Sequence, residues 1–220
     1  MITLSGAGCY DNLVKKGLLI SHESISENLA GNHEYYSTLK PERIGFVSYP
    51  SEWSFDMLKD AALLTLQLVK EALSFNMIVK DATPFNIQWH EGKLIFIDTL
   101  SFEKYEATPW IAYRQFCEGF LGPLLIMHYS QKQLPELMLA WPNGIPLTTI
   151  QSLLPTRSRF SLYTYLHIHL HAKYSLKKQG TTETVKKFSK QKLLNLITSL
   201  EVLVSKLKTP RTKKRMVRIL

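Results

Sequence analysis

Cysteine is nearly absent from this chain, with only Cys9 and Cys117 in 220 residues. A pair so far apart makes neither a disulfide framework nor a metal knuckle, which excludes the small disulfide-stapled secreted class and the zinc fingers. Long apolar runs are missing as well. Residues 120–127 form the most apolar stretch, but Gly122 and Pro123 interrupt it and it falls well short of the ~20 residues that cross a bilayer. The first twelve residues lack a basic segment followed by an apolar one, so no secretory signal and a cytoplasmic location are expected. Acidic residues are scarce in one region only. Residues 1–172 carry 13 Lys+Arg against 16 Asp+Glu, net −3, while residues 173–220 carry 14 against 2, net +12. The formal charge of +9 therefore belongs to the last part of the chain, and the body is mildly acidic.

What is present suits a folded protein. With 45% hydrophobic and 20% charged residues, the chain can bury a sizeable core as one domain, or one domain with an appendage. The patterning predicts a short helix over residues 10–19 and short β-prone pieces at 19–21 and 44–49, with a polar loop at 27–36 between them. Ser54 is a good N-cap for a long helix to about Leu73, because Phe55, Leu58, Ala62, Leu66, Val69 and Leu73 recur at three- and four-residue spacing. Residues 77–79, 87–89 and 94–97 read as strands. The last two form a tight hairpin through His90-Glu91-Gly92-Lys93. Helices are expected over 110–129, 134–141, 160–174 and 184–207, with Pro146 and Pro155 as punctuation. The fold class is α+β, strands first and helices after.

Asp81 and Asn86 form a D-x-x-x-x-N loop after a short apolar segment, and Asp98 closes the hairpin that follows. Phosphoryl transfer needs such groups in this order. One carboxylate orients or deprotonates the acceptor hydroxyl, while an amide oxygen and a second carboxylate hold the Mg²⁺ that bridges nucleotide phosphates. Mg²⁺ takes few hard oxygen ligands and keeps its waters, so one Asn and one Asp suffice. The same three residues also read as turn formers, with Asp98 capping what comes next.

This stretch resembles the catalytic and metal loops of the protein-kinase-like fold, closest to the aminoglycoside-phosphotransferase branch. The wider chain, about residues 10–171, resembles the kinase-like region preceding the methyltransferase domain of bacterial nodulation-type, SAM-dependent methyltransferase proteins. Ser48-Tyr49-Pro50 with Glu52-Trp53-Ser54, Lys80-Asp81-Ala82 with Asn86-Ile87-Gln88, and the run from Phe96 through Asp98 to Phe102 carry that likeness. Trp110, Ala112-Tyr113-Arg114-Gln115-Phe116-Cys117 and Gly144-Ile145-Pro146-Leu147 extend it in order.

The resemblance implies a kinase-like domain over 1–172, with a partial N-lobe and hinge at 1–50 and a C-lobe at 51–172, followed by a basic helix and tail at 173–220. It also implies Asp81 as the base-like residue and Asn86 and Asp98 as metal ligands. Backbone around Ser48, Tyr49 and Glu52 would meet the adenine of ATP. The acceptor would be a small molecule or glycan, and the natural partner a methyltransferase domain or protein. Departures accompany the likeness. Val79-Lys80-Asp81 stands where protein kinases have His-Arg-Asp, and Thr99-Leu100 follows Asp98 in place of glycine. No Gly-rich loop or strand-borne Lys precedes the first helix, so Met1 is expected to begin partway through an N-lobe. About 50 residues follow His171, too few for a Rossmann-like SAM-binding unit.

Other features read more plainly. Gly6-Ala7-Gly8 lacks the preceding strand that a dinucleotide turn requires. His167, His169 and His171 alternate, which permits a metal site, but a helix with Leu162, Leu166 and Leu170 as its apolar series is the simpler reading. Leu193, Ile197, Leu200, Val204 and Leu207 follow a 4-3-4 spacing that suits core packing or docking onto a partner domain. The tail from Arg211 to Arg218 could contact phosphates of nucleic acid or anionic lipid. Without interleaved aromatic residues it offers no base-stacking platform, and a solvated tail or linker is the simpler reading, with nucleic acid not the expected partner. Two functions fit these residues: a small phosphotransferase, or a non-catalytic kinase-like module serving a methyltransferase.

Overall fold

The computed structural model describes residues 8–29, 31, 37–132, 134, 136–173 and 188–209. Its axis is α2 (Phe55–Ser74), which follows a shorter α1 (Cys9–Lys15). Ser54 caps α2, its hydroxyl accepting from the Met57 N–H at 3.2 Å, and Asp56 adds a carboxylate to the positive end of the helix dipole. The buried residues of α2 include Phe55, Leu58, Ala61, Ala62, Leu66, Leu68, Val69 and Leu73. Such a broad apolar surface is that of a helix packed on several sides.

Among the described residues, six short strands make three antiparallel pairs. β1 (His22–Ile25) pairs with β2 (Thr38–Pro41), β3 (Met77–Val79) with β6 (Phe102–Lys104), and β4 (Ile87–His90) with β5 (Lys93–Phe96). Leu19 joins β5 by a single bridge to Phe96. Then come α3 (Tyr113–Phe116), a π-helical turn (Cys117–Leu121), α4 (Gly122–Ser130), α5 (Glu136–Ala140), α6 (Leu147–Leu153), α7 (Leu162–Thr164) and a second π turn (Tyr165–Leu170). The last described helix, α8 (Lys190–Lys206), lies along α2.

The α+β reading stands, with adjustments that have physical causes. α1 ends at Lys15 rather than residue 19 because Gly17 adopts a left-handed φ of 63°. Gly17 and Leu18 then donate back to the Val14 and Leu13 carbonyls at 2.8 and 3.0 Å, a Schellman closure. Residues 44–49 are not a strand. Thr38–Pro41 is one, and 19–21 contributes only the Leu19 bridge. The polar loop holds where residues 27–36 are described. Helix 110–129 begins three residues late and contains a π turn, and α6 appears where only punctuation was read.

The expected apolar series of Leu162, Leu166 and Leu170 does not face inward. Leu162 and Leu166 are exposed, while His167, Ile168 and His169 are buried. The π turn over Tyr165–Leu170 adds backbone per turn and rotates the inward face onto the histidines. By contrast, the 4-3-4 series of α8 packs as core, with Leu193, Ile197, Leu200, Val204 and Leu207 all buried. Lys70 and Glu201 pair between α2 and α8. The Lys59 ammonium donates to the Ser205 and Leu207 carbonyls at 2.9 and 2.8 Å, meeting the negative end of α8. Residues 184–187, Gly6, Ala7 and the basic tail 211–218 lie outside the described residues. Among the described residues no helix is long and apolar enough to cross a membrane.

Candidate functional site

Asp81, Asn86 and Asp98 are joined through hydrogen bonds. Asn86 closes a short 3₁₀ turn (Pro84–Asn86), which Thr83 caps through a 3.4 Å bond from the Phe85 N–H. Its side-chain amide donates to the Asp81 carbonyl at 3.4 Å and to the Ser101 hydroxyl at 3.2 Å. The Ser101 hydroxyl donates to Asp98 Oδ2 at 2.5 Å. Asp98 Oδ1 accepts from the Leu100 N–H at 2.8 Å, so Asp98 does cap the following turn, as the turn-former reading requires. The Asn86 carbonyl accepts from the Ile97 N–H at 2.8 Å, and the Lys80 N–H donates to the Ser101 carbonyl at 2.7 Å. Loop, hairpin end and second turn are thus laced together.

Two residues that carry part of the family likeness, but to which the sequence assigns no role, hold this arrangement. Gln115, on α3, donates to Asp81 Oδ1 at 2.7 Å and accepts from the Ala82 N–H at 2.7 Å, clamping side chain and backbone of the loop with one amide. Ser101 is the bridge between Asn86 and Asp98. Gln115 lies 34 residues from Asp81 and Ser101 lies 15 from Asn86, so only spatial proximity reveals either role. Behind the loop, the Trp110 indole donates to the Val79 carbonyl at 2.7 Å. Among the described residues, Asp81 Oδ2 and Asn86 Oδ1 have no protein donor, leaving a carboxylate oxygen and an amide oxygen for a ligand. The Asn86 oxygen is a hard donor of the kind a Mg²⁺ ion takes. So is the Asp98 carboxylate, each oxygen of which already accepts one hydrogen bond and keeps a further lone pair.

The segment read as a hinge is occupied differently. The Ser48 N–H donates to Gln88 Oε1 at 2.9 Å, and the Ser48 carbonyl accepts from Gln88 Nε2 at 3.1 Å. The Tyr49 N–H donates to Glu52 at 2.7 Å, while the Trp53 indole donates to the Ser48 hydroxyl at 3.0 Å. These bonds fasten residues 48–53 to β4. Phe46, Val47 and Tyr49 remain exposed.

Beside the loop opens a cleft of about 280 Å³. Pro84 and Phe85, the residues just before Asn86, form one wall, and Tyr49, Trp141, Glu52 and Glu118 contribute others. Glu118 is fixed by Arg114 at 2.9 Å and by the Leu147 N–H at 3.2 Å. The lining thus combines aromatic side chains with two carboxylates.

Two of the three alternating histidines are hydrogen-bonded to separate side chains. His167 is hydrogen-bonded to Tyr113 through Nδ1 at 2.8 Å and to Ser199 through Nε2 at 2.9 Å, and His169 is bonded to Ser158 at 2.8 Å. His171 stacks on Tyr113, ring centroids 4.7 Å apart. Burial pushes His167 down to about 4, with repulsion from His171 adding to it. Burial also lowers His169 and His171.

Against known proteins, the chain is 33% identical over 178 residues to nodulation protein NoeA of Rhizobium meliloti (strain 1021). It is similar to a nodulation protein. The alignment covers 78% of this chain and 36% of NoeA, so the chain spans about a third of the length of that curated relative. No protein-family model matches.

Proposed function

We propose that this chain is a kinase-like phosphotransferase domain that moves a phosphoryl group from Mg-ATP to a hydroxyl of a small molecule or glycan. The observation that supports the reading is the hydrogen-bond chain from the Asp81 carbonyl through Asn86 and Ser101 to Asp98, which ties together the three residues this chemistry would use. Asp81 has one oxygen pinned by Gln115 and the other free to take the acceptor's proton or hold its hydroxyl in line. Asn86 and Asp98 would hold Mg²⁺, which when bound neutralises charge on the transferring group. The cleft walled by Pro84 and Phe85 is the place for the acceptor, next to the loop that bears Asp81.

One observation favours a second reading, a non-catalytic kinase-like module associated with a SAM-dependent methyltransferase. Both backbone groups of Ser48 and the N–H of Tyr49 are engaged within the protein, so an adenine at Ser48 or Tyr49 would have to displace Gln88 or Glu52. Calorimetric titration of Mg-ATP into the whole chain decides between them. Saturable binding, weakened roughly tenfold or more by Asp98→Asn, is expected. No heat at millimolar nucleotide would overturn the phosphotransferase reading and favour the module.

A further inference from the structure

A second cluster of ligand-bearing side chains lies away from that site. Glu42 follows the last residue of β2, His90 ends β4, and Glu91 starts the turn of the β4–β5 hairpin. Each offers one ligand atom, and the three atoms lie within 4.8 Å of one another. We propose that Glu42, His90 and Glu91 bind one divalent transition-metal ion.

The groups are aimed for it. His90 Nε2 stands 3.0 Å from Glu42 Oε1, and the imidazole is 11% exposed, held by packing rather than waving in solvent. The other Glu42 oxygen takes the Ser21 hydroxyl at 2.7 Å, which fixes the plane of the carboxylate. Those bonds to Ser21 and His90 hold the Glu42 carboxyl below the usual carboxylate range, so it stays ionised. Glu91 supplies a second negative charge. Around a tetrahedral ion with bonds of about 2.0–2.2 Å, ligand atoms stand roughly 3.3–3.6 Å apart. The cluster therefore needs a small inward turn of the exposed Glu91 side chain and a move of the His90 Nε2 proton, which Glu42 holds before metal binds, to Nδ1 or solvent.

Imidazole with two carboxylates selects Zn²⁺, Co²⁺, Ni²⁺ or Mn²⁺ over Mg²⁺ and Ca²⁺. One cation competes. Lys93 acts electrostatically on Glu42, although its ammonium lies over Gly17 at the end of α1. Bound metal would tie the β1–β2 pair to the β4–β5 hairpin. From Asn86 to His90 the chain runs roughly 13 Å as strand, so the ion would not share ligands with Asp81, Asn86 and Asp98.

The test is titration of Zn²⁺ by calorimetry and of Co²⁺ by visible absorption into the untagged, chelator-treated full chain. One equivalent should bind at roughly micromolar affinity, with Co²⁺ bands of a four- or five-coordinate ion. His90→Ala should weaken binding at least ~30-fold, Lys93→Gln should tighten it, and Asp98→Asn should leave it unchanged. No binding at ~100 μM metal, or binding that His90→Ala leaves intact, overturns the proposal. Circular dichroism of each variant confirms that folding is retained, and Glu42→Gln serves as a second ligand variant.

Discussion

Acidification should unfold this protein through His167. The imidazole bridges Tyr113 and Ser199 in the core. Ser199 donates its own proton to the Leu196 carbonyl at 2.7 Å, so it accepts from His167 Nε2, which leaves Nδ1 to accept from the Tyr113 hydroxyl. That is the neutral ring. Folded, the group titrates at about 4; in the unfolded chain it titrates near its ordinary 6.5. Between these values the unfolded state binds one more proton, so stability falls as pH falls, by up to ~1.4 kcal/mol per unit. Above pH 6.5 the contribution is fully present, and by pH 4 about 3 kcal/mol is gone, a large share of a typical domain's stability. Burial lowers His22, His169 and His171 as well, so they add loss in the same direction. Urea melts at pH 7, 5.5 and 4.5 measure the total, and His167→Gln isolates one group by removing about one proton from the pH slope. Equal slopes for both proteins would refute the reasoning. So would an imidazole signal assigned to His167 by NMR that titrates near 6.5 in the native protein, a readout that needs no variant.

Three other outcomes follow from the geometry. Gln115→Ala should cost about 1–3 kcal/mol in a denaturant melt, because it strips the partner from the Ala82 N–H. It should also weaken any Mg-ATP binding by freeing Asp81. Gly144→Ala should destabilise by about 1–3 kcal/mol: Gly144 has φ +105°, and a Cβ there would sit 3.0 Å from Glu118 Cβ and 3.1 Å from its carbonyl carbon. The measurement is Tm. Cys9 and Cys117 are buried free thiols; burial pushes Cys9 up to about 11 and Cys117 higher still. Neither should react with a thiol reagent at pH 8 until denaturant is added, and prompt release of chromophore from the native protein would contradict their burial.

The elements legible in the sequence are those whose signals are local. Ser54 and the apolar rhythm after it define α2 to within a residue, and Glu91-Gly92 marks the β4–β5 turn. The β3–β6 pairing was invisible because the partner of Met77–Val79 is three residues, Phe102–Lys104, with no apolar alternation of their own. Leu162 and Leu166 repeat at the ordinary helical period, which the π turn over Tyr165–Leu170 breaks, so they end up exposed. At the candidate site the acidic and amide residues stood out by type and order. Gln115 and Ser101 did not, since nothing near either in sequence marks it as a partner of Asp81 or Asn86.

The pairing of β3 with β6 has a topological consequence. Val79 faces Phe102 across the ladder, and everything between them forms one loop pinched shut at that neck. Asp81, Asn86, Asp98 and Ser101 all fall inside it. The polar constellation is therefore a cassette, enclosed by its own short stretch of chain and fastened to the helical body at the Trp110 and Gln115 contacts. Changes elsewhere along the polypeptide reach it through those fastenings, through the neck, and through the hairpin's own ties to Leu19 and Ser48. A lesion that unzips three residue pairs would open the neck that all four residues share, leaving them held by the remaining ties.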